Sequence, residues 1–207
     1  MKKLFALGLM AALFALSSSS HAAKVGDPAP AFTATDSYGK THQLSEFKGK
    51  VLVLEWHNQG CPFVKSQYKG KMQKLQEKWT QQGVQWCTVV SSAPHTEGYV
   101  EASQANEDVK KNMAHVTCVF LDPSGTVGRA YGAKTTPHMF VINPKGILVY
   151  DGAIDNAPLE DNIVDKTKEG ATYANYIDRA LQEIMVEGKS KATIPSTVPY
   201  GCHVKYK

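Results

Sequence analysis

Cys61 is the residue of this chain whose neighbours give it chemistry. It stands in Val51–Tyr68, VLVLEWHNQGCPFVKSQY. Val51–Trp56 is apolar except at Glu55, the pattern of a central strand in a parallel sheet. Asn58–Gly60 carries turn residues, and Pro62 suits the first position of a helix, where its missing N–H costs nothing. Cys61 is then the N-cap. A thiol there faces free backbone N–H groups and the positive end of the helix dipole, which favour the thiolate, the nucleophilic form. The competing reading is an ordinary buried cysteine beside a turn.

Glu55 interrupts the central strand six positions before Cys61. A carboxyl buried there is expected to have a raised pKa and to move protons near neutrality. Pairing with a lysine or with backbone N–H groups would make it merely structural. His57, His138, Met139, Cys202 and His203 contain soft and imidazole donors of the kind that bind copper, but their spacing matches no fixed metal motif, and each histidine also fits a polar contact in a cleft. No cofactor is called for. Cys87 and Cys118 lie mid-strand, in VQWCTVV and VTCVFLD. They read as small core hydrophobes, or as a structural bridge if the two strands bring them together. Cys202 follows Gly201 in a proline-containing tail. It could lie across the cleft as a resolving thiol for Cys61, or stay exposed and pair with glutathione or another chain.

The elements that must position these residues follow from pattern. Residues 1–22 form a signal peptide: Lys2 and Lys3, an apolar run from Leu4 to Leu16, then Ser20-His21-Ala22. That run is short for a bilayer span and no later stretch is longer, so the mature chain is expected to be periplasmic or secreted, without a membrane span. The remainder suits one domain over 23–188 with a tail over 189–207. The formal charge of +4, lowered by two when Lys2 and Lys3 leave, is too small to argue for nucleic acid. Phe32–Thr35 and Lys40–Leu44 flank a turn cluster and predict a hairpin. One helix is expected from Pro62 to Gly83, with Val64, Tyr68, Met72, Leu75 and Trp79 on its inner face and lysines outside. Further strands are expected at Val84–Val90, Val116–Leu121, His138–Ile142 and Ile147–Asp151. Helices are expected at Tyr99–Met113, Val127–Tyr131 and Tyr173–Ile184, and an aperiodic charged loop at Ala153–Gly170. Strand–helix–strand units followed by a hairpin and a helix give an α/β fold: a central mixed sheet with helices on both faces and an N-terminal hairpin extension.

The ordered segments VGDPAPAF, LSEFKGK, VLVLEWHNQGCPF, FLDPSGTVGRAYGA and TTPHMFVINPKGILVYDGAID resemble the thioredoxin-fold redoxins (AhpC/TSA type), in particular a peroxiredoxin-like subgroup with a Cys-Pro-Phe-Val motif. The resemblance implies a thioredoxin-like fold and an exported thiol-disulfide oxidoreductase acting on protein or small-molecule disulfides and thiols. A thiol peroxidase acting on peroxides, or a copper- or partner-binding module without enzymatic activity, stands as the alternative. It implies a cis bond at Thr136-Pro137, exposing backbone beside Cys61 for a substrate strand, where a trans proline starting a strand is the competing reading. It makes Asn58 and Pro62 substrate-facing and Glu55 the proton carrier. The chain departs from the pattern twice. Val64 stands at the second cysteine of a dithiol motif, which is also the peroxide-attacking position of peroxiredoxins. Pro137 stands near their arginine. A dithiol within the motif is therefore excluded, and a peroxidase would need a shifted set, with Asn58 in place of the threonine.

Overall fold

The computed structural model describes residues 23–157 and 172–207. The expected signal peptide and most of the expected loop at 153–170 lie outside these residues. Among the described residues, the main sheet runs in the order β2-β1-β5-β4-β3-β7-β8. Its strands are β1 (Thr33–Asp36), β2 (Thr41–Gln43), β3 (Leu52–Trp56), β4 (Gln85–Val90), β5 (Cys118–Leu121), β7 (His138–Ile142) and β8 (Leu148–Gly152). β3, β4 and β5 are parallel neighbours, whereas β7, β8 and the β1–β2 hairpin join antiparallel. The fold is thioredoxin-like, with a mixed central sheet.

β3 sits between β4 and β7, and all five of its residues are buried. Alternation then sends its side chains to opposite faces. Val53, with Trp86, Met139 and Val141, packs under α1 (Pro62–Gln67), α2 (Lys71–Thr80) and α5 (Tyr176–Leu181) through Val64, Met72, Trp79, Ile177 and Leu181. Leu52, Leu54 and Trp56 face Phe32, Phe120, Phe140 and α4 (Thr126–Tyr131) through Val127 and Tyr131. Burying a large apolar side chain contributes about 1.5–3 kcal/mol, so these two layers fix the end of β3 from which the Cys61 turn departs. A smaller cluster of Val90, Val100 and Val119 lies with Ala105 of α3 (Ala102–Lys111).

The single helix expected from Pro62 to Gly83 is two helices. Gly70 adopts φ +110, a left-handed value that ends one helical path and begins the next. Tyr68, Met72, Leu75 and Trp79 are buried all the same. α5 runs into a π-helical turn, Gln182–Val186, before Gly188. The tail is extended, and it makes β9 (Cys202–His203), which pairs antiparallel with β6 (Thr135–Thr136) in a ribbon apart from the main sheet.

Candidate active site: two sulfurs across a cis-proline ribbon

The turn after β3 is held by its own polar atoms. The Gly60 N–H donates to Asn58 Oδ1 at 2.7 Å and the Cys61 N–H to the Asn58 carbonyl at 3.0 Å. The Asn58 amide lies against Gly98, whose φ of +85 and missing Cβ allow that approach. Asn58 is therefore occupied in building the turn, where the sequence suggested a substrate contact. Cys61 is the N-cap of α1 with extended backbone (φ −66, ψ 125), and Pro62 follows as the first helical residue, exposed to solvent. Cys61 itself is fully buried.

The Thr136-Pro137 bond is cis. It turns the Thr136 carbonyl toward Cys61, whose Sγ lies 3.0 Å away and donates to it. Thr136 is also the register partner of Cys202. That pairing brings Cys202 Sγ to 2.8 Å from Cys61 Sγ, with both cysteines as free thiols. Gly201 (φ +135) makes the approach possible, since a Cβ there would overlap the Thr136 carbonyl.

The two thiols differ in electrostatics. Burial alone would raise the Cys61 pKa. The Cys202 thiol first, then donors at Val64 and Thr136, outweigh burial and bring it below the usual thiol value. Cys202 is pushed up to about 11, by partial burial and then by its contact with Cys61. Of the two thiols, the buried Cys61 is therefore the one that gives up its proton more readily, and the partly exposed Cys202 the one that keeps it.

Beneath this ribbon, Glu55 accepts hydrogen bonds from Tyr68 Oη (2.8 Å), Trp86 Nε1 (2.8 Å) and Gln76 Nε2 (3.2 Å). Among the described residues, no lysine pairs with it. Its charged neighbour is His57, whose Nδ1 is 3.6 Å from Glu55 Oε1 and whose Nε2 is 2.9 Å from Asp108. Burial would lower the His57 pKa, but the carboxylates of Asp108 and Glu55 hold it at about 9. A small cavity of about 20 Å³, enough for roughly one water, touches His57, Tyr68 and Asp108. Sequence reasoning identified Glu55 and missed its partners Gln76 and Trp86, as well as the pairing of His57 with Asp108. It had assigned Tyr68 to the apolar face alone. A signal existed: Gln67 and Gln76 fall within the buried arc of the α1–α2 stripe, where a polar side chain must find a partner.

The copper set is not assembled. His57 is engaged as above, and Met139 is in the core. His138 Nδ1 accepts from the Lys134 N–H, while its Nε2 lies 2.6 Å from Asp151. Among the described residues, no group of three or more His, Cys, Asp or Glu side chains is placed to hold a metal ion. Cys87 and Cys118 are direct register partners on β4 and β5, buried and both free thiols.

The AhpC/TSA family profile matches residues 25–151, more than half of the chain. The chain belongs to the AhpC/TSA family. Among curated relatives of this AhpC/TSA protein, the thiol-disulfide oxidoreductase ResA of Bacillus subtilis is 28% identical over 145 residues, spanning 66% of this chain and 72% of the relative. The ResA of Bacillus thuringiensis is 27% identical over 128 residues, 62% of this chain and 69% of the relative. A hypothetical protein from Sinorhizobium meliloti shares the fold with a TM-score of 0.74 at 23% identity, covering 90% of this chain and 97% of that one. A thiol:disulfide interchange protein DsbE from Chlorobium tepidum, described as such provisionally, aligns with a TM-score of 0.50 at 25% identity, over 63% of this chain and 85% of that one.

Proposed function

We propose that this redoxin-type thiol oxidoreductase is a two-cysteine exchanger whose working dithiol is Cys61 with Cys202. The 2.8 Å contact of their sulfurs across the cis-proline ribbon carries this reading. Cys61 supplies the thiolate, and Cys202 supplies the partner that its own helix motif lacks. In one turnover the dithiol becomes a disulfide while a partner disulfide becomes two thiols, or the reverse. Glu55 sits below the site, hydrogen-bonded to Tyr68, Trp86 and Gln76 and in charge contact at 3.6 Å with His57, whose other ring nitrogen hydrogen-bonds the less buried Asp108; proton exchange with solvent is assigned to this side of the site. Cis-Pro137 fixes the Thr136 carbonyl against Cys61. Thiol exchange is favoured over peroxide reduction because the sequence has two arginines and both are engaged elsewhere: Arg129 stacks on Tyr206 and Arg179 approaches Glu183. The signal peptide over 1–22, the domain over 23–188 and a periplasmic or secreted site of action are part of this reading.

Peptide mapping without reductant, after mild diamide oxidation, tests it. A linked Cys61–Cys202 peptide is expected. Two free thiols at those positions would refute the proposal. Stopped-flow oxidation by hydrogen peroxide should be slow beside exchange with a disulfide, and a faster peroxide reaction would reverse the ranking.

A further inference from the structure

The cis-proline edge beside Cys61 is where an extended partner strand would be expected to pair. In this protein the edge is filled by the chain's own tail. β9 pairs with β6 through Thr135–His203 and Thr136–Cys202, so Cys202 occupies the position a substrate cysteine would take. The tail is held on both sides of that point. Before it, the Thr197 hydroxyl contacts Tyr150 Oη and accepts from the Ala153 N–H, and Tyr200 Oη donates to the buried carboxylate of Asp155. After it, the Val204 N–H donates to the Lys134 carbonyl, the Lys205 carbonyl accepts from the Ala93 N–H, and Tyr206 Oη donates to the Ala133 carbonyl. Gly125 and Gly128 of the α4 region leave room for the Tyr206 ring, which also stacks under Arg129 at 4.9 Å. Lifting β9 would break contacts at both ends. With β9 in place Cys61 has no exposed surface, while Cys202 is partly exposed beside the tail residues His203 and Lys205.

We propose that Cys202, not Cys61, is the sulfur that exchanges with outside molecules, and that the partner is a small or flexible thiol compound rather than an extended peptide strand docked on the cis-proline edge. The inference rests on the Cys61–Cys202 reading above. Closing 2.8 Å to a bond of about 2.05 Å moves the sulfurs by less than about 1 Å, so the exposures carry over to the disulfide. An external thiolate attacks Cys202 Sγ, forming a Cys202–thiol mixed disulfide, and the bond electrons leave on Cys61 as thiolate. A second external thiolate attacks the external sulfur of the mixed disulfide. It releases the small-molecule disulfide and leaves Cys202 as a thiolate that takes up a proton. Two external thiols are oxidised and one protein disulfide is reduced. The leaving sulfur is the one whose thiolate is favoured by its surroundings, which speeds the first step.

The experiment uses the full mature chain, oxidised with diamide, mixed rapidly with reduced glutathione and quenched with N-ethylmaleimide. Mapping should find glutathione on the Cys202 peptide and maleimide on Cys61, in at least about tenfold excess over the reverse. This criterion is demanding, because a mixed disulfide on Cys202 is the species that Cys61 recloses fastest. Independently, glutathione disulfide should modify Cys202 in Cys61→Ser at least about tenfold faster per thiolate than it modifies Cys61 in Cys202→Ser. Glutathione found on Cys61, or equal rates in the two variants, would overturn the inference while leaving the disulfide reading intact. Absence of a Cys61–Cys202 linkage in the oxidised starting material would overturn both.

Discussion

The molecule holds two cysteine pairs, each placed by strand pairing, and their surroundings set them apart. Cys87 and Cys118 face each other on parallel strands in the middle of the main sheet, inside the layer that contains Phe120 and Phe140. Burial first, then the neighbouring Cys118, push the Cys87 thiol well above its usual value. Cys61 and Cys202 meet on a two-residue ribbon at the sheet's end, one sulfur sealed and the other partly open, their pKa values moved in opposite directions. Proximity is common to both pairs. Asymmetry belongs to one, and thiol exchange needs asymmetry: an attacking thiolate on one side and a route for the partner on the other.

The comparison breaks most readily on activity. Cys61→Ser, which leaves Cys202 with no internal partner to close a disulfide, should lose catalytic turnover, whereas Cys87→Ala should stay within about twofold of wild type. Glutathione-disulfide turnover reads both, and a Cys87→Ala enzyme with turnover below a tenth of wild type would show that the core pair takes part. Next in size is stability. In the chain-entropy account, a bond closing the stretch between Cys61 and Cys202 stabilises by roughly 5 kcal/mol. Denaturant midpoints should therefore separate the oxidised from the reduced protein. The separation should vanish in Cys202→Ser and persist in Cys118→Ala. A gap that survives in Cys202→Ser would assign the oxidation to other sulfurs.

A smaller effect sharpens the electrostatic half of the contrast. Thiolate absorbance at 240 nm should titrate first from Cys61, below the ordinary thiol value of 9.0, and the midpoint should rise in Cys202→Ser because the Cys202 thiol is the leading group that offsets the burial of Cys61. An unmoved midpoint would mean that the helix end alone sets it. The smallest effect lies below the ribbon. His57 has a folded pKa of about 9 against an ordinary 6.5. Its contribution to stability is thus complete below about pH 6.5 and lost as pH rises through about 9. The melting-temperature deficit of His57→Gln should be larger at pH 6 than at pH 10, and a deficit independent of pH would remove the charged His57 from the account.

Much of the site could be read from the sequence because its determinants are local. Strand, turn, Cys61 and Pro62 are contiguous, and the His138–Ile142 and Leu148–Gly152 hairpin is marked by Asn143-Pro144-Lys145-Gly146 between its strands. The helix break at Gly70 was not legible, since glycine inside an apolar stripe is compatible with either a continuous or a broken helix until packing decides. The Glu55 network draws on Tyr68, Gln76, Trp86, His57 and Asp108 from five separate elements or loops, and no spacing rule links them. Cys202 could be named as a resolving candidate because it was the cysteine outside the predicted strands and helices. Its pairing register with Thr136 comes from Gly201, whose role is visible only against the Thr136 carbonyl.

The anchoring of the tail on both sides of Cys202 bears on how the protein would communicate its state. The ribbon, the Tyr200–Asp155 contact and the seat of Tyr206 are all in place with the thiols reduced. Joining the sulfurs asks for a displacement smaller than a bond length, with no segment released or recruited. Oxidised and reduced forms then share one outline, and a receptor that recognises shape would treat them alike. Whatever senses this protein must do so by reacting with it.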